Sequence, residues 1–236
     1  MTHSTASTAK LAIDAPPLQT LPIRGGTERF PVNRVFCVGR NYADHAREMG
    51  HDPDREPPFF FMKPASAIVA DGANFHYPSA SSDVHHEIEF VVALAKGGFD
   101  VRAEEANDLI YGYAVGLDMT RRDLQGAAKK AGRPWESGKA FDGSAPCSEI
   151  VRVEATGHPA HATVQLAVNG TIKQEGDLAD LIWSVPETIA YLSRLFTLQP
   201  GDLIFTGTPA GVGPVVRGDT LSGSVSGVAE LRIEVV

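Results

Sequence analysis

Cysteine is scarce: Cys37 and Cys147 are the only two in 236 residues, and they lie far apart without a CxxC pair. Neither a disulfide framework nor a thiolate zinc site is expected, and such usage suits a reducing cytoplasm. Cys37 lies in the apolar run Val35-Phe36-Cys37-Val38, where it reads as a small core residue rather than a nucleophile. Long apolar runs are absent too. A membrane span needs about 18 consecutive apolar residues, and the uncharged stretch Leu203 to Val216 is shorter and broken by glycines and prolines. Positive charge is in deficit, with Lys+Arg 21 against Asp+Glu 29 and a net charge of -8. A chain of that sign repels a phosphate backbone instead of releasing counterions from it, which excludes nucleic acid as a partner. The Gly-rich stretch from Thr206 to Gly213 lacks the Gly-Lys-Ser/Thr ending of a phosphate loop, which disfavours ATP. The first twenty residues lack both the basic and apolar blocks of a secretory leader and the arginines of a transit peptide. They read as a loose arm, drawn here as residues 1–30, ahead of a single domain over 31–236.

Hydrophobic residues make up 43% and charged residues 21%, the composition of an ordinary globular protein. Arg34 to Gly39 predicts a buried strand and Asn41 to Met49 a short helix. His51 to Pro58 holds three prolines and four charged residues, which suits a surface loop before Phe59-Phe60-Phe61-Met62. Strands are expected over His86 to Leu94 and Ile110 to Leu117, a short acidic helix over Ala103 to Asp108, and a helix after Asp118 through Lys130. Thr163 to Val168 alternates, and Asn169-Gly170 then signals a type I′ hairpin whose return strand runs through Lys173. Ser184 and Glu187 have capping-box spacing, followed by Ile189, Leu192, Leu195 and Phe196 at helical intervals. Leu203 to Phe205 reads as a further strand. Short strands with scattered helices, and no regular βαβ alternation, indicate a β-rich mixed α/β fold with short peripheral helices.

The chemistry is concentrated in acids that enter apolar strands. Glu87 and Glu89 are two apart, hence on one face of a strand, and Phe90-Val91-Val92-Ala93-Leu94 follows them into the interior. Unpaired buried carboxylates are costly, so the pair favours a bound cation over a solvated strand face. Asp118 ends another apolar strand and either completes the ligand set or caps the next helix. Oxygen ligands without thiolate select a hard cation, Mg2+ or Mn2+, with Ca2+ also admissible. His45 and Glu48 are three apart in a helix, a spacing that serves a base and its orienting carboxylate or an ordinary solvated contact. Lys139, Arg40, Arg121 and Arg122 are candidate anion binders that by default would be surface charges. His51 to Phe61 and Arg133 to Phe141 could cover a site.

The runs Cys37-Val38-Gly39-Arg40-Asn41-Tyr42-Ala43-Asp44-His45, His85-His86-Glu87-Ile88-Glu89 and Gly116-Leu117-Asp118-Met119-Thr120-Arg121-Arg122-Asp123 occur in this order. Lys139-Ala140-Phe141, Val168-Asn169-Gly170 and Gly201-Asp202-Leu203-Ile204-Phe205-Thr206-Gly207-Thr208-Pro209 follow. Together they resemble the fumarylacetoacetate hydrolase family from about Phe30 onward. The resemblance implies that family's mixed β-roll, a homodimer and a divalent metal on Glu87, Glu89 and Asp118. It also implies a His45–Glu48 dyad that activates water, with Lys139, Gln125, Arg40 and Thr208 near the substrate. Long members carry an additional N-terminal domain for which there is no room here, so short members acting on acylpyruvates are the nearer comparison. The run Gly50 to Phe60 further implies cleavage of fumarylpyruvate to fumarate and pyruvate, a step of gentisate-type aromatic catabolism. The alternatives are an acylpyruvase or oxaloacetate decarboxylase, and a 2-hydroxyhepta-2,4-diene-1,7-dioate-type isomerase or decarboxylase. From a different class, the carboxylates could serve a non-catalytic metal-binding protein.

Overall fold

Alternation of side chains along Ile88–Leu94 organises the molecule. Ile88, Phe90, Val92 and Leu94 enter one apolar cluster, while Val91 and Ala93 enter a second on the opposite face of the same sheet. A strand covered on both faces is apolar on both, here with the single exception of Glu89, and all seven residues are buried. Residues 11–48, 56–70 and 72–236 are described by the computed structural model, with 46–48 as backbone only. Most of the expected His51 to Pro58 loop lies outside them.

Ile88–Leu94 lies between Leu203–Phe205 and Ile110–Leu117 in an eight-stranded sheet. Beyond Leu203–Phe205 come Val35–Gly39, which pairs with it in parallel, and Phe59–Lys63 at the edge. Beyond Ile110–Leu117 come Ala145–Cys147 and, parallel to it, Ile68–Ala70, while Val151–Arg152 pairs elsewhere along Ile110–Leu117. A second, antiparallel sheet runs Thr171–Asp177, Thr163–Val168, Thr220–Val225, Ala229–Glu234. Val164, Leu166, Leu221, Leu231 and Ile233 project from it into the first cluster, so the main core is a sheet-on-sheet layer. Asn169 (φ 51°) and Gly170 (φ 78°) form the expected turn, and the return strand extends to Asp177, beyond Lys173.

The helices are short and peripheral. Val185–Leu195 is preceded by Ser184, whose backbone N–H and hydroxyl both donate to Glu187 Oε2, at 3.1 and 2.7 Å. Ala103–Leu109 forms a 3-10 helix rather than an α-turn. Among the described residues, no helix is long and apolar enough to cross a membrane.

Two details differ from the sequence reading. Thr20–Pro22 and Arg29–Pro31 form a hairpin inside the segment drawn as an arm, and Leu21, Ile23 and Phe30 are buried in the second cluster. Burial of those side chains, not composition, attaches residues 20–30 to the body. The expected strand over 86–94 is interrupted at Glu87: Val84–His86 belongs to a small sheet with Thr120–Arg121 and Gly213–Pro214. Cys37 and Cys147 are buried free thiols, as a core reading of Cys37 requires.

Candidate active site

The interruption at Glu87 lets its carbonyl accept from Asp118 N–H at 2.8 Å, which ties the start of Ile88–Leu94 to the end of Ile110–Leu117. Glu87, Glu89 and Asp118 are thereby brought together, all buried, with ligand oxygens within 4.8 Å of one another. Such crowding of like charges needs compensation. Lys139, in the short helix Glu136–Lys139, donates from Nζ to Asp118 Oδ2 (2.6 Å), Glu87 Oε2 (2.9 Å) and Thr120 Oγ1 (2.7 Å). Arg122, at the start of Arg122–Lys130, donates to Glu87 Oε1 through Nη2 and to Gln125 Oε1 through Nη1 at 2.7 Å. Lys63 ends the edge strand wholly buried, with Nζ 2.8 Å from Asp118 Oδ1 and donating to the carbonyls of Met119 and Lys139.

These contacts set the electrostatics unevenly. Burial opposes ionisation of Glu87, yet Lys139 and Arg122 outweigh it and hold its carboxyl below the usual range. Burial likewise opposes the charge on Lys139, but Asp118 and Glu87 keep its pKa raised. Glu89 is the exception: burial, then Asp118 and Glu87, push its carboxyl well up, and the Gly207 N–H bond to Oε2 (2.7 Å) only partly opposes them. Asp118 Oδ1 is buried and ion-paired with Lys63, but among the described residues no donor is aligned to give it a hydrogen bond. An all-oxygen set with one electrostatically starved carboxylate and a spare buried lone pair fits a hard divalent cation.

Above this floor opens a narrow cleft of about 60 Å³. Phe59, Phe61 and Trp135 form its apolar wall, with Phe59 and Trp135 edge to face at 5.3 Å. Arg40, Lys129, His45 and Gln125 line the remainder. Arg40 adopts φ 57° and lays its guanidinium 5.0 Å from the Phe59 ring centroid. A left-handed backbone at a non-glycine residue is uncommon and often accompanies a functional constraint. A larger cavity of about 310 Å³ between Tyr113, His158, Leu178 and Val185 has, among the described residues, no acid, lysine or arginine in its lining.

The structure therefore gathers Glu87, Glu89, Asp118, Lys139, His45, Gln125 and Arg40 around one cleft. Thr208 is buried and outside the described lining of the cleft; it follows Gly207, whose N–H binds Glu89, and its hydroxyl accepts from Gln174 Nε2 at 2.8 Å. Glu48 closes the helix Ala43–Glu48, but its side chain lies outside the described residues, as do residues 51–55 of the expected His51 to Phe61 cover. Sequence reasoning missed Lys63, Thr120 and Gln174. Lys63 had a signal in the run Phe59-Phe60-Phe61-Met62-Lys63-Pro64, a lone cation at the end of an apolar strand; Gln174 had none.

Residues 34–236 match the family model described as fumarylacetoacetate (FAA) hydrolase C-terminal. Fumarylpyruvate hydrolase from Ralstonia sp is 48% identical over 189 residues, which cover 79% of this chain and 98% of that protein. Oxaloacetate tautomerase of Escherichia coli is 43% identical over 205 residues, 86% of this chain and 93% of that one. Among solved structures, fumarylpyruvate hydrolase from Pseudomonas aeruginosa in complex with Mn2+ and pyruvate superposes with a TM-score of 0.94. It is 53% identical and covers 96% of this chain and 99% of its own. The strand-rich fold agrees with these likenesses, and the chain belongs to the fumarylacetoacetate hydrolase family.

Proposed function

We propose that this protein is a metal-dependent hydrolase of 2,4-dioxo acids that cleaves fumarylpyruvate to fumarate and pyruvate. The observation that carries the reading is the convergence of Glu87, Glu89 and Asp118 beneath a cleft lined by cations, aromatics and His45. The names of the Ralstonia and Pseudomonas relatives, and the Mn2+ and pyruvate held by the latter, support the same choice. The catalytic unit is taken as 31–236 with the hairpin of residues 20–31 packed onto it, and a cytoplasmic homodimer is the working state.

In this reading Glu87, Glu89 and Asp118 hold Mg2+ or Mn2+. When bound, the cation supplies Lewis-acid polarisation of the substrate's 1-carboxylate and 2-oxo oxygens, and so an electron sink. The chain's own groups do the rest. His45, partnered by Glu48 three residues on, takes a proton from water as its oxygen attacks the C4 carbonyl. Collapse of the adduct breaks the C3–C4 bond; the electron pair leaves with the pyruvate half, whose C3 then takes a proton. The ammonium of Lys139 stabilises the negative charge that develops there. Gln125, held by Arg122, contributes to the substrate's surroundings, and Thr208 is held by the Gln174 amide next to the Gly207 N–H that binds Glu89. Phe59, Phe61 and Trp135 limit access of bulk water.

Arg40 is assigned to the distal carboxylate of the acyl group. Lys139 and Arg122 are already engaged by Glu87 and Asp118, whereas Arg40 presents its guanidinium stacked on Phe59 at the cleft wall. R40Q is expected to lower kcat/KM for fumarylpyruvate by about 100-fold, in the range for a lost charged hydrogen bond. Acetylpyruvate, which lacks that carboxylate, should lose less than about threefold. Equal losses on both substrates would remove the assignment.

Oxaloacetate tautomerisation or decarboxylation is the second reading, favoured by the 43% identity to the Escherichia coli tautomerase. It uses the same cations but no attacking water. The deciding assay supplies fumarylpyruvate, acetylpyruvate and oxaloacetate separately with Mn2+ or Mg2+, following dioxo-acid absorbance and pyruvate release. Preference for fumarylpyruvate, abolished by EDTA and restored by either metal, is expected. Better turnover of oxaloacetate would favour the second reading, and EDTA-insensitive hydrolysis would sink the metal assignment.

A further inference from the structure

Thr171–Asp177 exposes its first three residues and buries one, Gln174, which is 1% exposed. The cause is a bulge. Leu166 faces Gln174 while Ala167 faces Ile172, so Lys173 has no partner across the strand pair. The extra residue turns Gln174 toward the interior, and the Gly-rich loop closes over the bulge: a Cβ on Gly211 would stand 2.1 Å from the Lys173 carbonyl oxygen.

Inside, Gln174 uses every hydrogen-bonding position of its amide. Oε1 accepts from Ile88 N–H at 3.1 Å and meets His86 Nδ1 at 2.9 Å. Nε2 donates to Thr208 Oγ1 and to the Pro209 carbonyl, both at 2.8 Å. Ile88 N–H can only donate and the Pro209 carbonyl can only accept, so the orientation of the amide is determined and His86 carries its proton on Nδ1. Glu87 lies between the two residues that Oε1 holds. Gly207, whose N–H donates to Glu89 Oε2, directly precedes Thr208. One side chain from the second sheet therefore grips both segments that aim the two glutamates.

We propose that Gln174 is a positioning residue that sets the bite of Glu87 and Glu89 on the divalent cation; this rests on the metal reading above. Partners that orient metal ligands typically change affinity by about 10–100-fold when lost. A residue that merely satisfied the core would change stability and leave affinity alone.

The test titrates Mn2+ calorimetrically into the metal-stripped full chain and records the electron paramagnetic resonance spectrum of the bound ion. Q174M keeps the length of the side chain and removes all four bonds. It is expected to weaken Mn2+ by about tenfold or more and to alter the zero-field splitting. Unchanged affinity and spectrum in folded Q174M would overturn the inference, whatever the melting temperature did. If Q174M does not fold, Q174N replaces it; that variant keeps the amide but is one methylene too short to span both segments, and the same two outcomes decide. Wild-type protein that binds no Mn2+ would overturn the functional reading and the inference together, whereas tight wild-type binding matched by the variant removes the inference alone.

Discussion

H45A should lower kcat for fumarylpyruvate by about 1,000-fold, within the range for loss of a general base, while Mn2+ affinity stays within about twofold of wild type. His45 is buried at the edge of the cleft, on a helix separate from the strands that carry the carboxylates. Its removal should therefore spare the cradle. Folding is a small risk, because the truncated group borders an open cleft and leaves no sealed cavity in the sheet layers. The same variant separates the two chemistries. Hydrolysis needs a water deprotonated beside C4, whereas tautomerisation moves a proton within the substrate, so oxaloacetate tautomerisation by H45A should fall much less than hydrolysis. Steady-state kinetics on both substrates, with Mn2+ binding measured alongside, checks this. Hydrolysis by H45A at the wild-type rate would remove His45 from the mechanism, and E48Q tests its assigned partner independently.

Local chemistry made part of this architecture legible and left the rest hidden. Ile110–Leu117 was readable to both ends because an apolar run stops at an acid. The Asn169-Gly170 turn and the Ser184–Glu187 cap are decided within four residues, so neighbours along the chain suffice. The acids were legible for a different reason: Glu87, Glu89 and Asp118 contradict their apolar surroundings, and buried charge needs a cause. The misses depend on the second sheet or on distant loops. The break at Glu87 follows from Gln174, 86 residues from Ile88, and from the Asp118 N–H. The hairpin at Thr20–Pro22 is held by burial of Leu21 and Ile23 against a cluster assembled from distant strands. Lys63 reads as a strand-terminal surface charge until the fold places Asp118 against it.

That last contact carries the largest expected effect on stability. Three buried carboxylates, Glu87, Glu89 and Asp118, face three cations, Lys63, Lys139 and Arg122, so the floor is formally neutral before any metal binds. A divalent cation would add two positive charges, which suits a doubly anionic dioxo acid better than a monoanion. Asp118 is the hinge of this balance, because Lys63 and Lys139 both depend on it. D118N would leave two buried ammoniums undercompensated, and breaking a buried pair costs about 3–5 kcal/mol. For a domain of this size that is a fall in Tm of roughly 10 °C, to be read by thermal melting in EDTA so that metal loss does not contribute. Adding K63M to D118N removes one of the stranded charges and should recover part of the loss, with a coupling of about 1–3 kcal/mol. Excess Mn2+ should raise the wild-type Tm, by mass action on the folded state, and leave D118N unmoved. If D118N melts with wild type in EDTA, the lysines hold the carboxylate for geometry alone; if Mn2+ stabilises D118N as it does wild type, Asp118 is not a ligand.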